Sequence, residues 1–157
     1  MWTGRNGAAY GGVPSRMTSR YSTLPASHRD LLERPTFAHL ATVRPDGSPQ
    51  SSVMWFGWDG ERARFTLTRT RQKFANLEHE PRVAFSVHEP GNPYRTLEVR
   101  GVVESVADDT ADAAFYRALQ ERYDNVYDIT DADVRIVVTI RPTKFIAVEN
   151  GSVVRPE

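Results

Sequence analysis

The sequence predicts a mainly β, barrel-like domain carrying two or three helices. Short stretches of apolar and polar alternation, such as Phe37–Val43, Gln50–Phe56 and Arg62–Thr68, recur along the chain and read as half-buried strands. Turn residues separate them: Pro45-Asp46-Gly47-Ser48 is a hairpin signal, and Asp59-Gly60 is a second tight turn. A length of 157 residues suits one domain with a real core and is short for two.

Residues 1–24 hold four of the ten glycines (Gly4, Gly7, Gly11, Gly12), with Arg5, Arg16, Arg20 and few aliphatics. A disordered leader is expected there, with Trp2 and Tyr10 free to dock on a partner chain, and the folded domain is expected over 25–157. Ser27-His28-Arg29-Asp30 has the form of a capping box for a short helix through Leu31, Leu32 and Glu33, which Pro35 ends. The first three strands then form a meander, which sets Gln50–Phe56 beside Phe65–Thr68. A second short helix follows Thr70, its expected cap, and leads into the strand Arg82–Val87.

Beyond Glu89-Pro90-Gly91-Asn92-Pro93 a long strand runs from Tyr94 to Val106. Gly101 inside it marks a bulge or a close backbone approach. Asp109–Tyr123 is the strongest helix, capped by Asp109 or Thr110, with Ala114, Phe115, Ala118 and Leu119 as its apolar stripe. A final strand pair covers Val134–Ile140 and Phe145–Val148.

Composition narrows the function. Lys plus Arg equals Asp plus Glu at 20 each, so no global field attracts nucleic acid or an anionic membrane, and any anion site must be local. With no cysteine there is no disulfide, thiolate metal site or cysteine nucleophile. The histidines (His28, His39, His79, His88) have neither HxxxH nor HxH spacing, so no metal site is expected. No apolar run is long enough to span a bilayer and no apolar signal core opens the chain, so a soluble, cytoplasmic protein is expected.

The local anion site suggests itself at Phe65–Val87. In the strand entering it, Phe65 and Leu67 point one way and Thr66 and Thr68 the other. Arg69, Arg71 and Lys73 come next, at the start of a helix whose N-terminus adds N–H donors and a positive dipole end. Hydroxyls, a guanidinium, an ammonium and a helix start suit a phosphate; the same cations also suit a solvated helix face. Gln50 and Ser52 share one strand face, followed by Met54. That polar stripe suits a ring-bearing phosphorylated cofactor or, equally, a solvent-facing hairpin.

The segments FAHLATVRPDGSPQSSVMWF, TRTRQKFANLEHEPRVAFSV, NPYRTLEVRGVVE, and Tyr123 with IRPTKF resemble, in this order, the split β-barrel flavin and deazaflavin oxidoreductases of the pyridoxamine 5′-phosphate oxidase-like superfamily. The similarity is greatest to the actinobacterial branch that uses coenzyme F420, and it covers residues 27–148. It implies an α+β fold around a six-stranded antiparallel split barrel of the FMN-binding type, and a homodimer with cofactor in grooves between subunits. Carried across by position, Arg71 and Lys73 hold the cofactor phosphate, and Thr66 and Thr68 line the approach. Gln50, Ser51, Ser52 and Val53 run along the ring and its side chain, and Tyr94 comes from the second subunit. Asn76 is implied to be structural, bonding backbone near the helix end, with Leu77 filling core.

The implied activity is hydride transfer between F420 and a small conjugated organic substrate. No side chain acts as a nucleophile, and solvent, Tyr94 or His88 is the proton donor. An FMN enzyme of the same fold and a non-catalytic flavin, deazaflavin or haem binder are the alternatives. The C-terminal Asn150–Glu157 lacks the Arg and His pattern with which true pyridoxamine phosphate oxidases hold their substrate, so that reaction is not expected.

Overall fold

The structure is a computed structural model that describes residues 21–155. Most of the expected leader, including Trp2 and Tyr10, lies outside the described residues. Just before Pro25, Leu24 is buried in the core and the Tyr21 carbonyl accepts the Phe145 N–H at 2.7 Å.

Six long strands form one antiparallel sheet: β1 (Ala38–Val43), β2 (Pro49–Met54), β4 (Ala63–Thr68), β5 (Arg82–Glu89), β6 (Asn92–Asp108) and β7 (Arg135–Glu149). Two-residue strands β3 (Gly57–Trp58) and β8 (Ser152–Val153) extend it. The order is β2-β1-β5-β6-β7-β4-β3, with β8 on β7, and the path stays open, as a split barrel requires. Helices α1 (Asp30–Glu33), α2 (Gln72–His79) and α3 (Ala114–Arg122) complete an α+β domain.

Alternation sets the core. In β1, Ala38, Leu40 and Thr42 are buried while His39, Ala41 and Val43 face outward. Phe56, Phe65 and Phe85 meet at the centre with ring centroids 5.5–6.1 Å apart. Each such ring contributes about 1.5–3 kcal/mol through burial.

The expected meander fails at Phe56. Its side chain is fully buried and its N–H donates to the Tyr123 hydroxyl at 3.1 Å, so the backbone leaves the sheet there. As a result β2 pairs only with β1, and β4 pairs with β3 and β7. The expected final strand pair is instead one continuous β7. The register steps from Arg100–Lys144 to Gly101–Pro142, leaving Thr143 as an extra residue, and Pro142 sits at this bulge where a missing N–H is tolerated. Gly101 shows the close approach its position suggests: a Cβ there would lie 2.7 Å from the Arg141 carbonyl oxygen.

Three local expectations need correction. Ser27 does not form a capping box; its hydroxyl bonds His28 Nδ1 at 2.9 Å, and Asp30 pairs with Arg95 at 2.6 Å and Arg34 at 2.8 Å. Thr70 does not cap α2: the cap position is Arg71, and the Thr70 hydroxyl lies 3.1 Å from that of Thr68. In α3 the buried face is Tyr116, Leu119 and Gln120, with Ala114 and Ala118 exposed. The helix also begins later than expected, at Ala114, so its cap position is Ala113 and not Asp109 or Thr110. Both side chains still reach its first N–H groups, Thr110 Oγ1 accepting from Ala114 at 2.8 Å and Asp109 from Phe115 and Tyr116, each at 3.1 Å.

Candidate cofactor site

The site is assembled where β4 ends and α2 begins. A turn closed by Arg71 N–H on the Thr68 carbonyl (3.1 Å) redirects the chain into α2. Arg69 is removed from the cationic cluster: it pairs with Asp108 at 2.6 Å and lies over the Phe74 ring. Arg71, exposed, and Lys73, half-buried in the first turn of α2, have no ion pair among the described residues. Burial first and the neighbouring Arg71 charge second hold the Lys73 ammonium below its ordinary pKa. A partly desolvated cation pair with no carboxylate partner among the described residues suits an anion.

The hydroxyls of β4 are less available than alternation suggests. Both faces of the strand are covered, so Thr66 and Thr68 are buried like Phe65 and Leu67. Thr66 Oγ1 accepts from Arg135 at 3.5 Å, and Thr68 is engaged with Thr70.

The edge strand β2 presents two walls. Gln50, Ser52 and Met54 form the half-buried one; Ser51 and Val53 lie on the opposite, exposed one. Strand pairing does not bring β2 to β4, but a side-chain bridge joins β2 to α2. Asn76, fully buried in α2, donates through Nδ2 to Gln50 Oε1 and Thr42 Oγ1, both at 2.9 Å, and accepts from Gln72 Nε2 at 2.9 Å. The Asn76 side chain therefore links the cationic turn to β2 rather than bonding backbone. The signal for this role was the Gln72/Asn76 spacing of i, i+4 on the helix. Ser52 Oγ is buried with no partner among the described residues. An orphaned hydroxyl on the strand that Asn76 ties to the cationic turn suits a polar ligand.

Beyond β2, Trp55 stacks flat on Tyr123, the centroids 5.0 Å apart and the rings 7° from parallel. Phe37, about half exposed, tilts against Tyr123 at 5.7 Å, giving an aromatic wall at this edge.

One chain does not unite every candidate. Tyr94 is 69% exposed on β6. Register puts Ser51, Ala41, Ala84 and Arg100 in line across the sheet. Tyr94 is six residues from Arg100 along β6, roughly 20 Å away. A concavity of about 620 Å³ lies on the outer sheet face along His39, Ser51, Ser86, His88 and Ile146, and includes neither Arg71 nor Lys73. Among the described residues no acid and histidine group is placed to hold a metal ion, and no helix is long and apolar enough to cross a membrane.

Comparison with known proteins agrees with this architecture. No curated protein matches the sequence. An F420 reductase from Mycobacterium smegmatis is 51% identical, with a TM-score of 0.75, over 78% of this chain and 98% of that one. Two more distant structures share the fold. A conserved hypothetical protein from Mycobacterium tuberculosis is 23% identical, with a TM-score of 0.64, covering 87% of this chain and 91% of that one. The heme storage protein of Vibrio cholerae is 18% identical, with a TM-score of 0.58, covering 78% and 92%. The family model for pyridoxamine 5′-phosphate oxidase matches residues 24–149. Spanning nearly the whole open barrel, from Leu24 to the end of β7, that match places the chain in the pyridoxamine 5′-phosphate oxidase family.

Proposed function

We propose that this protein is an F420-dependent oxidoreductase that reduces small conjugated organic molecules and works in the cytoplasm as a homodimer. The carrying observation is the 51% identity to an F420 reductase over 98% of that chain. The unpaired Arg71 and Lys73 and the orphaned Ser52 hydroxyl support it from the side of the site.

When bound, the deazaflavin supplies the hydride chemistry. The chain's own residues bind and orient. Arg71 and Lys73 take the phosphate, with Thr66 and Thr68 backing the turn. Gln50, Ser51, Ser52 and Val53 form the edge along which the ring and its side chain lie. Tyr94, distant from this edge within one chain, is contributed by the second subunit, whose docking on the outer sheet face closes the groove. No residue serves as a nucleophile, and solvent supplies the proton. Orientation alone can contribute about 7–11 kcal/mol toward the barrier in favourable cases.

Titration of purified protein with F420 and with FMN, followed by fluorescence, tests the cofactor. Saturable F420 binding and reduction of a quinone or enone acceptor by the reduced cofactor are expected. Protein that purifies yellow with FMN and ignores F420 overturns the cofactor choice. Tight binding without turnover on any quinone, enone or tetrapyrrole acceptor overturns the enzymatic part.

A further inference from the structure

Asn76 is 0% exposed, flanked on the buried face of α2 by Phe74 and Leu77. An unbonded amide at such a position is costly, and this one is bonded at both ends. Its Nδ2 gives one hydrogen bond to Thr42 and one to Gln50, and its Oδ1 receives one from Gln72. These partners sit on β1, β2 and the first residue of α2. Gln72 itself stands between Arg71 and Lys73.

With Asn76 Nδ2 turned toward Gln50, the bond between them sets the polarity of the wall. A glutamine amide has one acceptor end and one donor end. Oε1 of Gln50 is committed inward to Asn76 at 2.9 Å, so Nε2 is the end left for a ligand. Two residues along the same face, Ser52 Oγ is buried with no partner among the described residues; a hydroxyl can give or take a hydrogen bond, so the exposed end of Gln50 sets the preference. The opposite setting, with Asn76 Oδ1 turned to Gln50 and Nδ2 to Gln72, would satisfy Asn76 as well but would present Gln50's acceptor end.

We propose that Asn76 is a positioning residue: by holding the Gln50 carbonyl it makes the half-buried wall of β2 donor-rich. That wall selects planar ligands whose edge carries carbonyl and imine acceptors over ligands whose edge carries amino donors. The identity of the ligand as F420 rests on the reading above; the amide setting does not.

The setting is read without ligand in 15N-labelled full-length protein, from solvent exchange of side-chain amide protons. Asn76 Nδ2 protons are protected, and Gln50 Nε2 protons exchange freely. In Asn76→Asp the new carboxylate can only accept, so Gln50 turns Nε2 inward and its protons become protected. Protected Gln50 protons in the wild type overturn the proposal. Gln50→Glu, which keeps the inward acceptor and removes the outward donor, guards against misfolding of Asn76→Asp. It is expected to keep a near-native melting temperature, lose F420 and FMN affinity by about tenfold or more, and shift the absorption maximum of cofactor still bound. Wild-type affinity and spectrum in Gln50→Glu overturn the positioning role. Wild-type protein that shows the exchange pattern but binds neither cofactor overturns the proposed function and leaves the amide setting standing.

Discussion

The Tyr123 hydroxyl bridges the two chain segments just beyond the end of the β1–β2 ladder, donating to the Thr36 carbonyl at 2.6 Å and accepting from Phe56 N–H at 3.1 Å. Burial pushes its pKa up, which keeps the phenol in the form that can both donate and accept. Tyr123→Phe preserves the stack on Trp55 and strands the buried Phe56 N–H. The expected cost is about 1–3 kcal/mol, at about 2–4 °C of melting temperature per kcal/mol for a domain of this size. Scanning calorimetry checks it; an unchanged melting point would mean the bridge is idle.

Arg71→Ala and Lys73→Ala are each expected to weaken cofactor binding by about 1.5–3 kcal/mol, as for loss of a charged hydrogen bond. Isothermal titration with F420 measures this. Binding unchanged in both variants would falsify the assignment of the cationic turn.

Lys73 also makes the protein pH-sensitive, in opposite senses for folding and binding. Its folded pKa lies below the ordinary 10.5 because of burial and Arg71. Between that lowered value and 10.5 the unfolded chain holds more protons, so the stability of the ligand-free protein rises with pH across this window. Anion binding falls across the same window as the ammonium is lost. Urea unfolding of wild type and Lys73→Met as a function of pH separates the two, because the variant lacks the rise.

Gly101→Ala would set a methyl 2.7 Å from the Arg141 carbonyl oxygen and 2.7 Å from Ile140 Cγ2. The backbone oxygen cannot yield without opening the β6–β7 bulge. A loss of about 1–3 kcal/mol is expected, measured as a lower denaturant midpoint with an unchanged slope.

Much of this was legible in the sequence, because strand periodicity and turn chemistry are local. The strands β1, β2, β4, β5 and β6 and the irregularity at Gly101 follow from alternation and from where glycine falls, while the two-residue β3 carries no such signal. The neighbour relations did not follow. Nothing near Phe56 announces that its N–H is taken by a phenol 67 residues away, so a meander was the natural expectation. The site divides in the same way. The Arg71/Lys73 pair stands out by its spacing, and Arg69 is singled out only by Asp108, which is distant in sequence. The bridge from Asn76 to Gln50 spans 26 residues and depends on which helix face is buried.

Val53 is 57% exposed on the outer wall of β2. If a second subunit covers this face, Val53→Glu places a charge in an apolar contact. Light scattering should show a dimer for the wild type and a monomer for the variant, with F420 binding lost alongside.

β2 has a neighbour on one side only, and its outward side chains carry none of the burden of the phenylalanine centre. Rewriting Ser51 or Val53 therefore alters what the protein touches without disturbing the packed centre of the chain. On the proposed function, the barrel is refitted to a different small molecule by editing alternate letters of a single short word.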